Sequence, residues 1–227
     1  MLQLTPRRVL ALALAVPLAL VPGCSTGDPA PAPTRAPLPD GVALEVSGRP
    51  VTVAEVDRLA ETLLLLHPVD TLPARRRRAL ADHVLPLAAA PLRFGAARDD
   101  ALRRAEACLT EVREGGTPEG AIDWSGAVGD LELEVLDRVL GSSVGAVLGP
   151  IETSIGIAAV VRVDAPPPDG SDPRAVFRLT GWRFPYAPQG TDLWDFAGLE
   201  VRFADADWRD LVPRNVLARF DAVEPAP

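Results

Sequence analysis

A proline-rich segment near the N-terminus limits where this chain can build a folded core. Residues 25–40 contain five prolines in sixteen positions. Proline fixes one backbone torsion and lacks a backbone hydrogen-bond donor, so this composition favours an extended polyproline II spacer over a packed element. The sequence therefore predicts that the folded part begins near residue 41, and that residues 25–40 separate it from the N-terminus.

The first 23 residues have the pattern of an export signal. Arg7 and Arg8 precede an apolar run from Val9 to Val21, and a charged region followed by a short apolar region is typical of a signal peptide. The run has 13 residues and contains Pro17, whereas a membrane-spanning helix needs about 20 apolar residues. A cleaved signal is therefore predicted rather than a permanent transmembrane helix.

The next residues, L-V-P-G-C, end at Cys24 and resemble the lipobox of bacterial lipoprotein precursors. The resemblance implies a lipoprotein signal peptide over residues 1–23, and a lipid anchor on Cys24 with a linker over residues 24–40. It also implies an extracytoplasmic protein whose membrane partner is contacted through this lipid. Ser25 fits sorting to the outer membrane in a cell with two membranes. The alternative is a secretory signal cleaved elsewhere, with Cys24 present by chance.

The charge balance argues against a nucleic-acid partner. Residues 24–227 contain 21 arginines, no lysine and 31 acidic residues, for a net charge of −10, whereas nucleic-acid-binding domains are typically basic. No phosphate-binding loop and no metal-binding motif of histidine or cysteine is present. We therefore predict no cofactor and no metal site.

The sequence identifies no catalytic residue. A serine triad needs a histidine that contacts both an activated serine and an orienting acid. The G-x-S-x-G matches at residues 23–27 and 141–145 do not lie between a predicted strand and a following helix, as a nucleophile elbow requires, and His67 and His83 both precede the β-rich half of the chain. Both histidines, and the free thiol of Cys108, are therefore predicted to have structural roles.

Residues 41–116 are predicted to be mainly helical. The spacing of Thr52 and Glu55 predicts a capping box at the start of the first helix, which should end near His67 because Pro68 follows. Pro86 is expected to kink the second helix.

The remainder of the chain is predicted to be richer in strands. Val147 to Thr153 and Ile157 to Val163 are expected to be neighbouring strands, because residues 154–156 have the composition of a turn. A β-rich extension with a terminal helix is expected over residues 166–227. The fold class is therefore α+β, with an N-terminal helical segment followed by a small mixed sheet with helices.

Three motifs resemble those of SurA/PrsA-type periplasmic foldases, which end in a parvulin-like peptidyl-prolyl isomerase domain. They are G-R-P-V-T-V-A-E-V from Gly48, V-G-D-L from Val128, and G-P-I-E-T-S-I-G from Gly149. The resemblance covers roughly residues 42–165. It implies a SurA-N-like segment over residues 41–116 and a degenerate parvulin-like region over residues 117–165. A chaperone-like or scaffolding role is implied, with unfolded or exported polypeptides as partners.

The same resemblance implies binding without isomerase activity. Ile157 and Ala158 stand where parvulins have an aromatic residue and a histidine. One alternative is a weakly active isomerase, which requires His83 on a strand beside a groove near Gly129 and Ile157. The other is a structural envelope lipoprotein without a client.

Five residues are predicted to form a peptide-binding surface. Pro150 lies in the parvulin-like motif and Ile157 directly follows it, and the other three, Trp182, Phe184 and Tyr186, belong to an aromatic cluster downstream. Aromatic side chains with a polar tip are common at binding surfaces. The alternative is that the aromatic residues belong to the core of a small sheet.

Overall fold

The computed structural model describes residues 36–124, 126–165 and 176–223. The predicted signal peptide, Cys24 and most of the proline-rich linker lie outside these residues, as does the first part of the predicted C-terminal extension. The described residues from Pro37 onward belong to one unit. Within the described residues, no helix combines the length and the apolar character that a membrane span requires.

The described residues form an α+β fold, as predicted from the sequence. The strands are β1 Val42–Val46, β2 Arg49–Thr52, β3 Ile122–Asp123, β4 Gly126–Ala127, β5 Val147–Thr153, β6 Ile157–Val163, β7 Val176–Phe177, β8 Leu179–Pro185, β9 Glu200–Phe203 and β10 Ala222–Val223. The α-helices are α1 Val53–Leu66, α2 Leu72–Arg78, α3 Leu85–Arg113, α4 Leu133–Val139, α5 Ala206–Leu211 and α6 Arg214–Leu217. A π-helical turn, Ala79–Val84, joins α2 to α3, and a 3₁₀ turn, Val128–Asp130, precedes α4.

The described strands form three sheets, where the sequence predicted one small mixed sheet. The first sheet has the order β10-β9-β1-β2, the second has the order β3-β8-β6-β5, and β4 pairs with β7. Only β9 and β10 run parallel among the described pairs. Strand β1 pairs with β9, and β6 pairs with β8. The predicted helical segment and the predicted C-terminal extension therefore share the first sheet, because β1 pairs with β9, more than 150 residues downstream. The predicted parvulin-like region and the extension share the second sheet, because β6 pairs with β8.

Helix α1 begins and ends where the sequence predicts. The Thr52 hydroxyl accepts a hydrogen bond from the backbone N–H of Glu55 (3.2 Å), and the Glu55 carboxylate accepts one from the backbone N–H of Thr52 (2.7 Å). This is the predicted capping box. The helix ends at Leu66, and His67 is its C-cap, immediately before Pro68.

The predicted kink at Pro86 coincides with a change of helix type. Pro86 lies at the second position of α3, directly after the π-helical turn, and Arg78, Val84 and Leu85 all have right-handed helical torsions, so its missing backbone donor falls inside a continuous helical run. Within α3 the torsions leave the helical region at Gly95, with φ of 30° and ψ of −107°, a break that the sequence did not predict. A residue without Cβ adopts this conformation at little cost, so the bend follows the glycine.

The predicted pairing of β5 and β6 is confirmed. The two strands are antiparallel, and Thr153 lies opposite Ile157 across the turn. Alternate residues of β6 enter different cores. Ala158 and Val160 pack with α3, whereas Ala159, Val161 and Val163 pack with α4. The second sheet is therefore covered on both faces.

Cys108 lies in the core between α3 and the second sheet. Its side chain is 6% exposed and contacts a cluster that includes Val112 and Trp182. Burial, with a smaller contribution from the negative charge of Glu111, raises the pKa of this thiol to about 11. Because the thiolate is the reactive form, this environment disfavours chemistry at Cys108.

Candidate functional site

A cleft lies between the edge strands of the two four-stranded sheets. Strand β2 is the last strand of the first sheet, and β5 is the last strand of the second. Residues of both strands line the cleft, together with residues of α1, α3 and α4, and its volume is about 330 Å³. We refer to it as the β2–β5 cleft. Its size falls in the lower range of small-ligand sites.

The β2–β5 cleft has apolar walls contributed by several elements. The apolar lining includes Leu59, Val84, Leu87, Leu102, Pro150 and Ile151. Leu59, Val84 and Ile151 are almost fully buried, whereas Leu87, Leu102 and Pro150 are half-buried. The half-buried group offers apolar surface that a ligand side chain could cover.

Charged side chains surround this apolar surface. Arg58 forms an ion pair with Asp137 (3.2 Å). Arg98 donates two hydrogen bonds to Glu152, each of 2.6 Å, in the bidentate arrangement that arginine and carboxylate groups favour. In each pair the positive charge of the arginine is balanced by a carboxylate of the same chain.

Two further arginines of the cleft have no such partner. Arg49 and Arg138 line the cleft and are exposed, and neither side chain makes a hydrogen bond or ion pair within the described part of the chain. The edge of the cleft is therefore basic at these two positions, although the protein as a whole is acidic.

Glu134 is a deeply buried carboxylate of the cleft, with 6% of the residue exposed, and the side chain of Asp137 is nearly as buried, with 8% exposed. Oε1 of Glu134 accepts a hydrogen bond from the backbone N–H of Ser154 (3.2 Å) and lies 2.9 Å from Nδ1 of His83. Its Oε2 has no hydrogen-bond partner among the described residues. An unpaired buried carboxylate oxygen is energetically costly.

His83, Glu134 and Ser154 form a cluster that the sequence analysis did not expect. The Ser154 hydroxyl lies 3.1 Å from His83 Nδ1, the same nitrogen that contacts Glu134. A catalytic triad requires the serine and the acid on opposite ring nitrogens. The cluster therefore orders the β5–β6 turn and does not activate Ser154.

Tyr186 lies next to this cluster. Its hydroxyl donates a hydrogen bond to the backbone carbonyl of Thr153 (3.3 Å). Burial raises the pKa of Tyr186, and the negative charges of Glu152 and Glu134 raise it further. Tyr186 thus stays protonated at neutral pH and acts as a hydrogen-bond donor that fixes the end of β5.

The five predicted peptide-binding residues do not lie on one surface. Pro150 lines the β2–β5 cleft. Ile157 and Tyr186 line a separate depression of about 580 Å³, beside Pro188 and Leu193.

The aromatic residues of that prediction lie mainly in the core. Trp182 is 2% exposed and its indole N–H donates to the backbone carbonyl of Pro118 (3.1 Å). Tyr186 is 5% exposed. Phe184 is half-buried, with the Arg104 guanidinium 5.8 Å from its ring centre. Their burial agrees with the alternative that the aromatic cluster belongs to the core of the sheet.

Sequence reasoning missed the charged residues of the cleft. Glu134, Asp137 and Arg138 share one face of α4, at the i, i+3 and i+4 spacing that places side chains together. That spacing is equally typical of a solvated helix face, so the sequence alone does not show that Glu134 is buried. Arg98 and Glu152 are 54 residues apart, and no local pattern links them.

No group of three or more metal-binding side chains occurs within the residues that the structure describes. Comparison of the chain with protein-family models, with curated proteins and with solved structures found no significant match.

Proposed function

We propose that this protein is a lipid-anchored extracytoplasmic protein that binds polypeptides in the β2–β5 cleft. Its role is chaperone-like or scaffolding, and its partners are unfolded or exported polypeptides. The observation that carries the proposal is the combination of a half-buried apolar surface with a charged edge in one cleft. An unfolded segment presents the same mixture of apolar and charged side chains.

The cleft favours recognition of side chains over addition of a strand. Pro50 lies in β2 and Pro150 lies in β5, the two edge strands that face the cleft. Proline has no backbone donor and protects an edge strand from pairing with another chain. A bound segment would therefore be held by apolar contacts with residues such as Leu87 and by the charges of Arg49 and Arg138.

Several placements support binding without isomerisation. The isomerase alternative requires His83 on a strand, whereas His83 lies in the π-helical turn and contacts Glu134. Ala158, at the parvulin histidine position, is fully buried between β6 and α3. Kinship with SurA/PrsA-type foldases is part of this proposal, and the β5–β6 hairpin supports it.

Binding in the cleft is tested by Leu87→Glu. A charge on the apolar surface would have to be desolvated by the ligand, so we expect the dissociation constant to rise at least tenfold. The measurement is fluorescence anisotropy with labelled, reduced and carboxymethylated α-lactalbumin as the unfolded client. The protein is the chain from residue 24 with Cys24→Ser.

The matched control is Leu92→Glu. Leu92 lies on the same helix, is 45% exposed and is not part of the cleft, so we expect its variant to bind within twofold of the unsubstituted protein. Equal weakening by both substitutions, or no binding by the unsubstituted protein, would contradict the proposal.

The lipid anchor is tested separately in the full chain. Cys24→Ser removes the sulfur that the lipobox resemblance identifies as the attachment site, so radioactive palmitate should no longer be incorporated in bacterial cells. The variant is expected to accumulate as a precursor or as a soluble form. Cys108→Ser serves as the control and should be labelled normally. Unchanged labelling of Cys24→Ser would show that Cys24 carries no lipid.

A further inference from the structure

We propose that the β2–β5 cleft selects polypeptide segments in which apolar side chains are flanked by acidic ones, and that Arg49 and Arg138 bind the carboxylates. This inference rests on the proposed function, because it names the chemical class of segment that the same cleft would take. It is carried by the sign of the charges that remain available to a ligand at the edge of the cleft.

The carboxylates that line the cleft all have a partner among the described residues. They are Glu55, Glu134, Asp137 and Glu152. Glu55 accepts hydrogen bonds in the capping box of α1. Asp137 and Glu152 each form an ion pair with an arginine of the cleft. Glu134 contacts His83 and accepts a hydrogen bond from a backbone N–H. A cationic ligand would therefore have to compete with an existing contact at each of these positions.

Two of the four arginines that line the cleft remain available. Arg58 and Arg98 are held in ion pairs. Arg49 and Arg138 are exposed, and neither side chain makes a hydrogen bond or ion pair within the described part of the chain. The charged cleft residues without an internal partner are therefore both positive. Arginine presents its donors in a planar fork that fits the two oxygens of a carboxylate.

An exposed arginine is not by itself a binding site. Arg77 on α2 is also exposed and also makes no ion pair within the described residues, but it does not line the cleft. Arg49 and Arg138 differ from it because they lie on two separate elements, β2 and α4, that border one apolar surface. A segment that covers Leu87 and Leu102 with apolar side chains would place its neighbouring residues at the edge where both arginines lie.

The net negative charge of the chain does not oppose this selection at short range. Residues 24–227 carry a net charge of −10. At physiological ionic strength, however, exposed charges more than about 8 Å apart are largely screened. The charges nearest to the bound segment therefore decide which segment is preferred, and those free to pair with it are arginines.

The test compares two peptides that differ only in charge. Acetyl-Ala-Glu-Leu-Leu-Glu-Ala-amide carries two glutamates, and its counterpart carries two glutamines, which have nearly the same shape and no charge. Isothermal titration of the chain from residue 24 with Cys24→Ser should show at least about fivefold tighter binding of the glutamate peptide, because one exposed ion pair contributes up to about fivefold. A third peptide, the glutamine sequence with a free C-terminal carboxylate, distinguishes side-chain carboxylates from a chain end.

The double variant Arg49→Gln with Arg138→Gln should reduce the preference for the glutamate peptide below twofold. Both side chains are exposed and have no internal partner within the described residues, so their replacement removes no contact that stabilises the fold. Arg77→Gln is the matched control, and we expect it to preserve the preference. If any exposed arginine attracted acidic peptides equally, Arg77→Gln would weaken the preference as well.

Each other result counts against the inference. Equal affinity for the glutamate and glutamine peptides would overturn it and leave the proposed function standing. A glutamate preference that survives the double variant would overturn the roles of Arg49 and Arg138. Tighter binding of the free-acid peptide than of the glutamate peptide would assign the arginines to chain ends and overturn the selection of acidic side chains. If none of the three peptides binds, the inference is overturned, and the anisotropy measurement with unfolded α-lactalbumin decides the proposed function independently.

Discussion

Trp182→Ala is expected to reduce the free energy of unfolding by about 3–5 kcal/mol, the usual cost of truncating a buried aromatic side chain. Trp182 is 2% exposed and packs with Ala158, Val160 and Cys108 between the second sheet and α3. Removing the indole would leave a cavity that the packed neighbours close only in part. Its N–H also donates to Pro118, and that acceptor would lose its partner.

Urea denaturation followed by far-ultraviolet circular dichroism measures this loss without relying on tryptophan fluorescence. Trp208→Ala is the control, because Trp208 is half-buried at the edge of the first core, with the Arg76 guanidinium 5.2 Å from its ring centre. We expect it to cost less than half as much as Trp182→Ala. Similar losses for the two variants would argue against the described position of Trp182.

Gly156→Ala is expected to cost about 2–5 kcal/mol. Gly156 has a φ of 80° in the β5–β6 turn, and a Cβ there would lie 2.3 Å from Cβ of Ala187. The backbone conformation costs a residue with Cβ about 1–2 kcal/mol, and forced overpacking adds about 1–3 kcal/mol. The turn also places the Ser154 N–H on Glu134, so its distortion should weaken peptide binding.

Gly145→Ala separates the two costs. Gly145 has a φ of 82°, but no heavy atom lies within 4 Å of an added Cβ. Only the cost of the backbone conformation applies, and we expect a loss of about 1–2 kcal/mol in the same urea titration. If Gly156→Ala is no more damaging than Gly145→Ala, the close contact with Ala187 does not exist in solution.

Interactions within a few residues could be predicted from the sequence. The capping box joins residues three apart, and the β5–β6 hairpin closes over a three-residue turn, so both are encoded by adjacent residues. The break at Gly95 was missed because an isolated glycine inside a helical pattern is usually tolerated. Pro86 was the more conspicuous residue, and the π-helical turn lies directly before it.

The site depends on contacts over much longer separations. His83 and Glu134 are 51 residues apart, and His83 and Ser154 are 71 residues apart. The motif around Gly149 includes Pro150, which lines the cleft. Aromatic residues are rare in this chain, so the group from Trp182 to Tyr186 was predicted to form a binding surface. Trp182 and Tyr186 lie in the core instead. The sequence could not distinguish the two locations, because aromatic side chains suit cores as well as binding surfaces.

Site-specific photocrosslinking tests most directly whether the β2–β5 cleft binds polypeptides. The photoreactive residue p-benzoylphenylalanine replaces either Arg49, at the edge of the cleft, or Val69, which is 92% exposed and lies outside it. With reduced and carboxymethylated α-lactalbumin as the client, we predict strong crosslinking from position 49 and little from position 69. Equal crosslinking from both positions, or none from position 49, would contradict the proposal.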